Sequence, residues 1–210
     1  MRLTVFGATG GIGQELVRQA LAAGHQVTAV VRDPARFTVT GEGLDVFQAD
    51  MRDPEALRPA VAGRDAALSG LGARRRSDAG IATELTRSVL RAMEAEDVRR
   101  LLVVSAAPVG PEPENSPLLD RAMLGLINSL LKGVYDDLRA MEGELAGSAT
   151  DWTAVRPPKL TNKPVTGTYR TVVGGNPRSG RSISRADVAH AMLAMTEDPA
   201  TVKQGVGVAY

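Results

Sequence analysis

The chain has 210 residues, a formal net charge of +1 and no cysteine. This length suits one domain with a full hydrophobic core. The near-neutral charge argues against nucleic-acid or membrane partners, and the lack of cysteine excludes disulfides and thiolate chemistry. The two histidines lie far apart, so we expect no metal site. We expect a cytoplasmic protein, because no signal-peptide pattern opens the chain and the most apolar stretch, 123–131, is too short to cross a bilayer.

A glycine-rich turn follows the first apolar run. Residues 3–6 predict a short buried strand, and the sequence Gly-Ala-Thr-Gly-Gly-Ile-Gly at 7–13 predicts a turn that opens a helix. Glycines permit a tight turn and close approach of an anion, while the start of the helix offers free N–H groups. The spacing is G-x-x-G-x-x-G, and the alternative is a turn that only packs the helix on the strand. We predict a dinucleotide site at Gly7, Thr9, Gly10, Gly11, Ile12 and Gly13.

The end of the second predicted strand, 26–31, indicates which dinucleotide is bound. An acidic residue there would bind the ribose 2′-hydroxyl of NAD. Here Arg32 comes first and Arg36 follows one helical turn later, and two guanidinium groups suit a 2′-phosphate. Asp33 is the competing residue, but an aspartate before Pro34 is a strong helix cap. We therefore predict NADP(H), with NAD(H) as the alternative.

Predicted strands and helices alternate along the rest of the chain. Further strands are expected at 44–50, 65–72, 101–107, 151–158 and 206–210, with helices between them. This order predicts an α/β fold: one doubly wound Rossmann domain over residues 1–210, with a mostly parallel sheet. A small C-terminal extension would lie on the substrate side, with substrate-side elements at about 108–135 and 156–183.

Several strand ends carry candidate ligand-binding residues. Asp50 lies at the C-terminal end of the third predicted strand, where either an adenine contact or a simple turn is possible. Gly70 and Gly72 would let a cofactor approach the backbone, and Ser105 ends the fifth strand. The arginines at 74–76 form either a solvated surface or an anion contact. The apolar helix at 119–131 is either core packing, a lid or a partner surface.

Polar residues near the C-terminus have a structural explanation. Ser184 and Asp187 form a capping box at the start of the last long helix. This role explains both residues without catalysis and makes His190 an ordinary helix residue. His25 precedes the second strand and is expected either at the surface or at the entry to that strand.

The chain resembles the atypical short-chain dehydrogenase/reductase family with an NAD(P)H-binding Rossmann domain. Within it, the chain is most similar to the group containing biliverdin-IXβ reductase/flavin reductase, and more distantly to NmrA-like proteins. The resemblance covers nearly the whole chain. The Trp-Thr-x-Val-Arg-Pro-Pro and Thr-Gly-x-Tyr motifs are more specific to this family than the glycine turn. The residues that carry it are 7–13, 31–33, 104–106, 151–158, 166–169 and 183–189.

The resemblance implies a nicotinamide pocket at the ends of strands four, five and six. Its residues here would be Leu71, Ser105, Ala106, Pro157 and Pro158. Relatives that reduce flavins and tetrapyrroles use an open apolar pocket with little acid–base machinery. Ordinary short-chain dehydrogenases use Tyr-x-x-x-Lys, whereas this chain has Tyr135 and Arg139, which puts carbonyl–alcohol chemistry in doubt. Ser105 and Tyr135 are the candidate catalytic residues.

Three functions follow from this resemblance. The first is an NADPH-dependent reductase that passes hydride to a flat, conjugated small-molecule acceptor such as a flavin, quinone or tetrapyrrole. The second is a non-catalytic NADP(H)-sensing protein of the NmrA-like type. The third is an NAD-dependent epimerase or dehydratase. The protein is expected to be a monomer or homodimer, and fold alone does not choose among these functions.

Overall fold

The structure is a computed structural model, and it describes residues 1–72, 80–111 and 131–210. Its strands are β1 Arg2–Phe6, β2 Gln26–Val31, β3 Leu44–Gln48, β4 Ala66–Ser69, β5 Arg100–Val104, β6 Asp151–Arg156, β7 Lys159–Thr161, β8 Arg170–Val173, β9 Ser182–Ser184 and β10 Gln204–Ala209. Its helices are α1 Gly11–Ala22, α2 Pro54–Val61, α3 Ile81–Ala95, α4 Lys132–Gly147 and α5 Arg185–Met195. The predicted helix at 119–131 falls outside the described residues except for Leu131, and the arginines at 74–76 fall wholly outside them.

Eight strands form one sheet in the order β3-β2-β1-β4-β5-β6-β10-β8. All neighbours run parallel except β8, which pairs antiparallel with β10. Strand order reverses direction between β1 and β4, and such a reversal opens a crevice at the carboxyl ends of the strands. The predicted doubly wound, mostly parallel fold is therefore confirmed.

Helices cover both faces of the sheet. Alternate residues of a strand point to opposite faces, so Leu3 and Val5 join one buried cluster while Phe6 joins the other. Apolar residues of α1 and α5 pack in the first cluster, and those of α2, α3 and α4 pack in the second. The sheet is thus buried on both faces, as parallel sheets usually are. A ligand can therefore reach the sheet at its carboxyl edge.

Several predicted strands end earlier in the structure than the sequence suggested. The strand expected at 65–72 ends at Ser69, the one at 101–107 ends at Val104, and the one at 151–158 ends at Arg156. The residues beyond each strand lie at the carboxyl edge, and Ala107–Val109 form a short 3-10 helix there. A second, two-stranded parallel sheet of β7 and β9 was not predicted. Within the described ranges, no helix is long and apolar enough to cross a membrane.

Ser184 caps the start of α5 as predicted, but the return bond of a capping box is replaced, because the Ser184 N–H donates to the Tyr210 hydroxyl at 3.1 Å and not to Asp187. The cap belongs to a larger buried network. The Ser184 hydroxyl accepts a hydrogen bond from the Asp187 N–H at 2.9 Å. The buried Asp187 carboxylate also accepts from the N–H groups of Thr166 at 2.8 Å and Gly167 at 2.9 Å, and from the Tyr210 hydroxyl at 2.5 Å. Burial alone would raise the pKa of Asp187, but these bonds outweigh burial and lower the pKa to about 2.

Candidate functional site

The glycine turn lies at the point where the strand order reverses. Gly7 follows β1 with a φ of +69°, which favours glycine. A Cβ on Gly7 would also come 2.9 Å from the carbonyl carbon of Gly70, which follows β4. The Gly70 N–H donates to the Phe6 carbonyl at 3.0 Å, so the two strand ends are held together. A Cβ on Gly70 itself would come 3.2 Å from the backbone nitrogen of Gly13, so Gly70 also has a packing reason to be glycine, in addition to the cofactor approach that we predicted for it.

The start of α1 sits directly on this turn. A Cβ on Gly13 would lie 2.1 Å from the Gly7 carbonyl oxygen, so no side chain fits there. The helix begins at Gly11, and no side chain caps its N-terminus. The Ile12 side chain is buried in the core, which leaves only its backbone to meet a ligand. An uncapped helix start has free N–H groups and a partial positive charge, and this geometry fits a diphosphate.

A long cationic side chain covers the turn. A Cβ on Gly11 would come 2.6 Å from Cδ and 3.0 Å from Nε of Arg185, the first residue of α5. The guanidinium of Arg185 donates to Oδ1 of Asn162 at 2.6 Å. Asn162 follows β7 and Arg185 follows β9, so the small sheet presents its carboxyl end to the glycine turn. The sequence around Arg185 predicted only a capping motif, because no local pattern reveals the contact with Gly11.

The end of β2 keeps both predicted phosphate-binding arginines at the surface. Arg32 and Arg36 are exposed, and within the described residues neither takes part in an ion pair. The Asp33 carboxylate accepts from the Ala35 N–H at 3.1 Å and caps a short 3-10 turn over Pro34–Arg36. Asp33 therefore has the capping role that we expected. The two guanidinium groups are free to meet an anion, and their cofactor role stays a prediction.

The remaining predicted contacts near the adenosine side have different surroundings. The Asp50 side chain accepts from the Arg52 N–H at 3.0 Å, so Asp50 forms a turn, and its adenine contact stays a prediction. The Leu71 N–H approaches the Ser69 hydroxyl at 3.4 Å. Among the residues that the structure describes, none has an atom within 4 Å of the place where a Gly72 Cβ would stand.

A buried polar network occupies the ends of β5 and β6. The Ser105 hydroxyl donates to Oε1 of Glu142 at 2.6 Å, and Glu142 comes from α4. Arg156, the last residue of β6, donates to both oxygens of the same carboxylate, at 3.0 Å and 2.5 Å. The Glu142 and Arg156 side chains are only 11% and 13% exposed. This is a bidentate, charge-assisted pair with little solvent around it.

The network limits what Ser105 can do chemically. A serine hydroxyl has one proton, and that proton is directed at Glu142. Ser105 can therefore offer a ligand its acceptor lone pairs but, in this geometry, no proton. A role as a proton-donating catalytic residue disagrees with this arrangement, whereas a role as a cofactor contact is compatible with it.

Tyr135 and Arg139 do not resemble an activated pair. The Arg139 guanidinium donates to Asp136 at 3.0 Å and to the Pro108 carbonyl at 3.3 Å. Burial raises the pKa of Tyr135. An activated tyrosine needs its pKa lowered by a neighbouring cation, so the change is in the opposite direction. The structure thus gives no support to Tyr135 as a catalytic acid.

The loop after β5 is fixed by two neighbours. The Ala107 N–H donates to the carbonyl of Pro157, whose ring is buried, at 2.9 Å. The Asn176 amide donates to the carbonyls of Ala107 at 2.9 Å and Pro111 at 3.1 Å. Nothing in the local sequence around Asn176 indicates these partners. The region over the predicted nicotinamide pocket is therefore held by the segment after β8.

Other polar features lie away from this edge. A groove of about 320 Å³ runs between the C-terminal halves of α3 and α4. These halves point away from the carboxyl ends of the strands, so the groove is separate from the glycine turn. Among residues 1–72, 80–111 and 131–210, no group of acidic and histidine side chains is arranged to hold a metal ion.

Comparison with known proteins agrees with the geometry. The sequence matches the NAD(P)H-binding family over residues 7–199, which is most of the chain. The chain belongs to this family, so the cofactor class predicted from the glycine turn is confirmed. The family match does not distinguish NADP(H) from NAD(H).

Among curated relatives, the chain is 37% identical over 132 residues to a 3-diazoavenalumate denitrifying reductase from a Streptomyces species. That alignment covers 57% of this chain and 42% of the relative. The chain is also 29% identical over 124 residues to the photosystem II assembly factor Ycf39 of Synechocystis. That alignment covers 57% of this chain and 38% of Ycf39. The matches thus span about two fifths of the length of these relatives.

Solved structures share the fold. A short-chain dehydrogenase/reductase from Veillonella parvula in complex with NADP has a TM-score of 0.81 at 22% identity, and the match covers 100% of this chain and 94% of the other. A Streptococcus pneumoniae protein assigned as an NADH-flavin reductase also has a TM-score of 0.81 at 22% identity, with 100% and 99% covered. At this identity the likeness extends to the fold alone.

Proposed function

We propose that this protein binds NADPH and transfers its hydride to a flat, conjugated acceptor such as a flavin or quinone. The observation that carries the proposal is the packing of Gly7, Gly13 and Gly70. This packing brings the uncapped start of α1 to the crevice between β1 and β4. The similarity to a reductase supports the reaction class.

The residues at the strand ends suit hydride transfer without a positioned acid. When bound, NADPH supplies the hydride, and the protein positions the ring and limits water. Ser105 directs its proton to Glu142, and the pKa of Tyr135 is raised. Neither residue is prepared to protonate a carbonyl oxygen. A conjugated ring needs no such residue, because solvent can protonate it after reduction.

The preference for NADPH rests on Arg32 and Arg36. Both are exposed at the end of β2, and Asp33 is occupied in capping. A hydrogen bond to a charged partner contributes roughly 1.5–3 kcal/mol. One such bond to a 2′-phosphate corresponds to roughly a ten- to hundredfold preference for NADPH over NADH.

The test follows the absorbance of the reduced nicotinamide after NADPH or NADH is mixed with FMN and the protein. Faster loss with NADPH than in a protein-free control supports the reductase. Arg32→Ala should raise the KM for NADPH and leave the KM for NADH unchanged. Arg99→Ala is the matched control, because Arg99 pairs with Asp151 at the opposite edge of the sheet. Equal NADPH constants for wild type and Arg32→Ala would remove the arginine assignment.

A second candidate is an NADP(H)-binding protein without turnover. Two observations favour it, because the Ser105 proton is donated to Glu142 and the pKa of Tyr135 is raised. The similarity to an assembly factor also favours it. Tight NADPH binding with no consumption in the presence of FMN, a quinone or a tetrapyrrole would favour this second function. Steady NADPH consumption with any of these acceptors would reject it.

A further inference from the structure

The Arg185 side chain lies against the first turn of α1, at the glycine turn for which the sequence predicts a dinucleotide site. Its Cδ and Nε are 2.6 Å and 3.0 Å from the position that a Gly11 Cβ would take, at the first turn of α1. A glycine at position 11 therefore makes room for this side chain. The contact joins two parts of the chain that no local motif connects.

The backbone that carries Arg185 is anchored to α1. Helices α1 and α5 pack side by side, and the Gln19 amide donates to the Ala186 carbonyl at 2.9 Å. Ala186 is the next residue after Arg185, so this bond fixes the start of α5 against α1. The far end is held by Asn162, whose Oδ1 accepts from the guanidinium at 2.6 Å. These two contacts reduce the side-chain entropy that ligand binding would cost.

The charge around Arg185 is unbalanced. A guanidinium has five N–H donors, and Asn162 is a neutral partner. Among the described residues, no carboxylate forms an ion pair with Arg185. The N-terminus of α1 beside it carries a partial positive charge. Two positive groups side by side repel each other unless an anion lies between them.

We propose that Arg185 is a cofactor-binding residue that donates hydrogen bonds to the diphosphate, with Asn162 positioning its guanidinium. This inference rests on the proposed function, because it assigns one more residue to the same cofactor. The diphosphate is common to NADPH and NADH. Arg185 therefore raises the affinity for both cofactors, whereas Arg32 and Arg36 discriminate between them.

The test compares the dissociation constants of NADPH and NADH for three variants by fluorescence titration. Arg185→Met keeps the aliphatic cover over Gly11 and removes the charge, while Arg185→Lys keeps a positive charge. We expect Arg185→Met to weaken both cofactors by roughly ten- to hundredfold, with the ratio of the two constants unchanged. Arg185→Lys should recover part of the loss. Arg32→Ala should change the ratio instead.

The outcomes separate this inference from the proposed function. If wild type binds both cofactors and Arg185→Met binds them equally well, Arg185 only packs on Gly11 and the inference is wrong. A loss confined to NADPH would also overturn it, because the 2′-phosphate would then be the partner. If wild type binds neither cofactor, the proposed function itself fails. The melting temperature of each variant, measured without cofactor, verifies that the fold is intact.

Discussion

Removing the Glu142 carboxylate should destabilise this protein far more than removing an ordinary surface carboxylate. Glu142→Gln leaves the Arg156 guanidinium buried beside a neutral amide, and Ser105 loses a charged acceptor. Breaking a buried ion pair on one side costs about 3–5 kcal/mol. For a chain of this size, each kcal/mol lowers the Tm by roughly 2–4 °C, so we expect a drop of about 6–20 °C.

The measurement is urea unfolding followed by circular dichroism, with thermal melts alongside. Glu144→Gln is the control, since Glu144 lies on the same helix but pairs with Arg87 in solvent, with exposed fractions of 35% and 53%. A surface pair contributes about 0–1 kcal/mol. The double variant Glu142→Leu with Arg156→Met removes both buried charges, and it should recover much of the loss.

Two results would refute this reasoning. One is a Glu142→Gln cost no greater than that of Glu144→Gln, which would mean that solvent reaches the pair. The other is a double variant as unstable as the single one, which would mean that packing rather than charge was lost. A measured cost of several kcal/mol that the double variant relieves is the expected result.

Three further predictions concern the glycine turn, the acid sensitivity and the tyrosine. Gly13→Ala should abolish NADPH binding in a titration and cost about 1–3 kcal/mol in urea unfolding, because its Cβ meets backbone at 2.1 Å. Gly143 lies inside α4, and no atom of the described residues outside that helix lies within 4 Å of its Cβ position, so Gly143→Ala should instead raise the free energy of unfolding by about 0.5–1 kcal/mol. Equal effects of the two substitutions would contradict the packing argument. Folding lowers the pKa of Asp187 from 3.8 to about 2. The ionised carboxylate therefore adds about 2 kcal/mol to the free energy of unfolding above pH 4, and this contribution is lost as the pH falls towards 2. The stability gap between wild type and Asp187→Asn should therefore shrink over that range, and a gap that is constant with pH would be inconsistent with this linkage. Tyr135→Phe should keep the wild-type kcat with FMN, and a tenfold fall would restore Tyr135 as a catalytic residue.

Features that depend on local sequence were predictable. The glycine turn, the Asp33 cap and the Ser184–Asp187 box each involve residues within one or two turns of one another. The spacing of apolar residues, which is a local property, identified the strands and helices one by one. Their alternation along the chain then indicated a parallel sheet. The family resemblance added the pocket residues, whose cofactor contacts stay predictions.

Features that depend on distant partners were not predictable. The contact between Arg185 and Gly11 and the bonds from Thr166 and Tyr210 to Asp187 appear only when the chain is folded. The strands β7 and β9 have three residues each, which is too short for any period to be visible. Ser105 was correctly placed at a strand end, but its partner Glu142 comes from a helix, and this partner changes what Ser105 can donate.

The space that the Arg156 guanidinium occupies restricts which residues can evolve around it. A Cβ on Gly205 would come 2.3 Å from Cζ of Arg156, and one on Gly110 would come 2.8 Å from Nη1. The two glycines therefore leave space on two sides of one flat cation. Homologues that carry a larger residue at position 205 should have lost the arginine, and with it the acid at Glu142. Positions 110, 142, 156 and 205 should therefore covary among homologues. Where the arginine has been lost, selection for glycine at positions 110 and 205 should be relaxed.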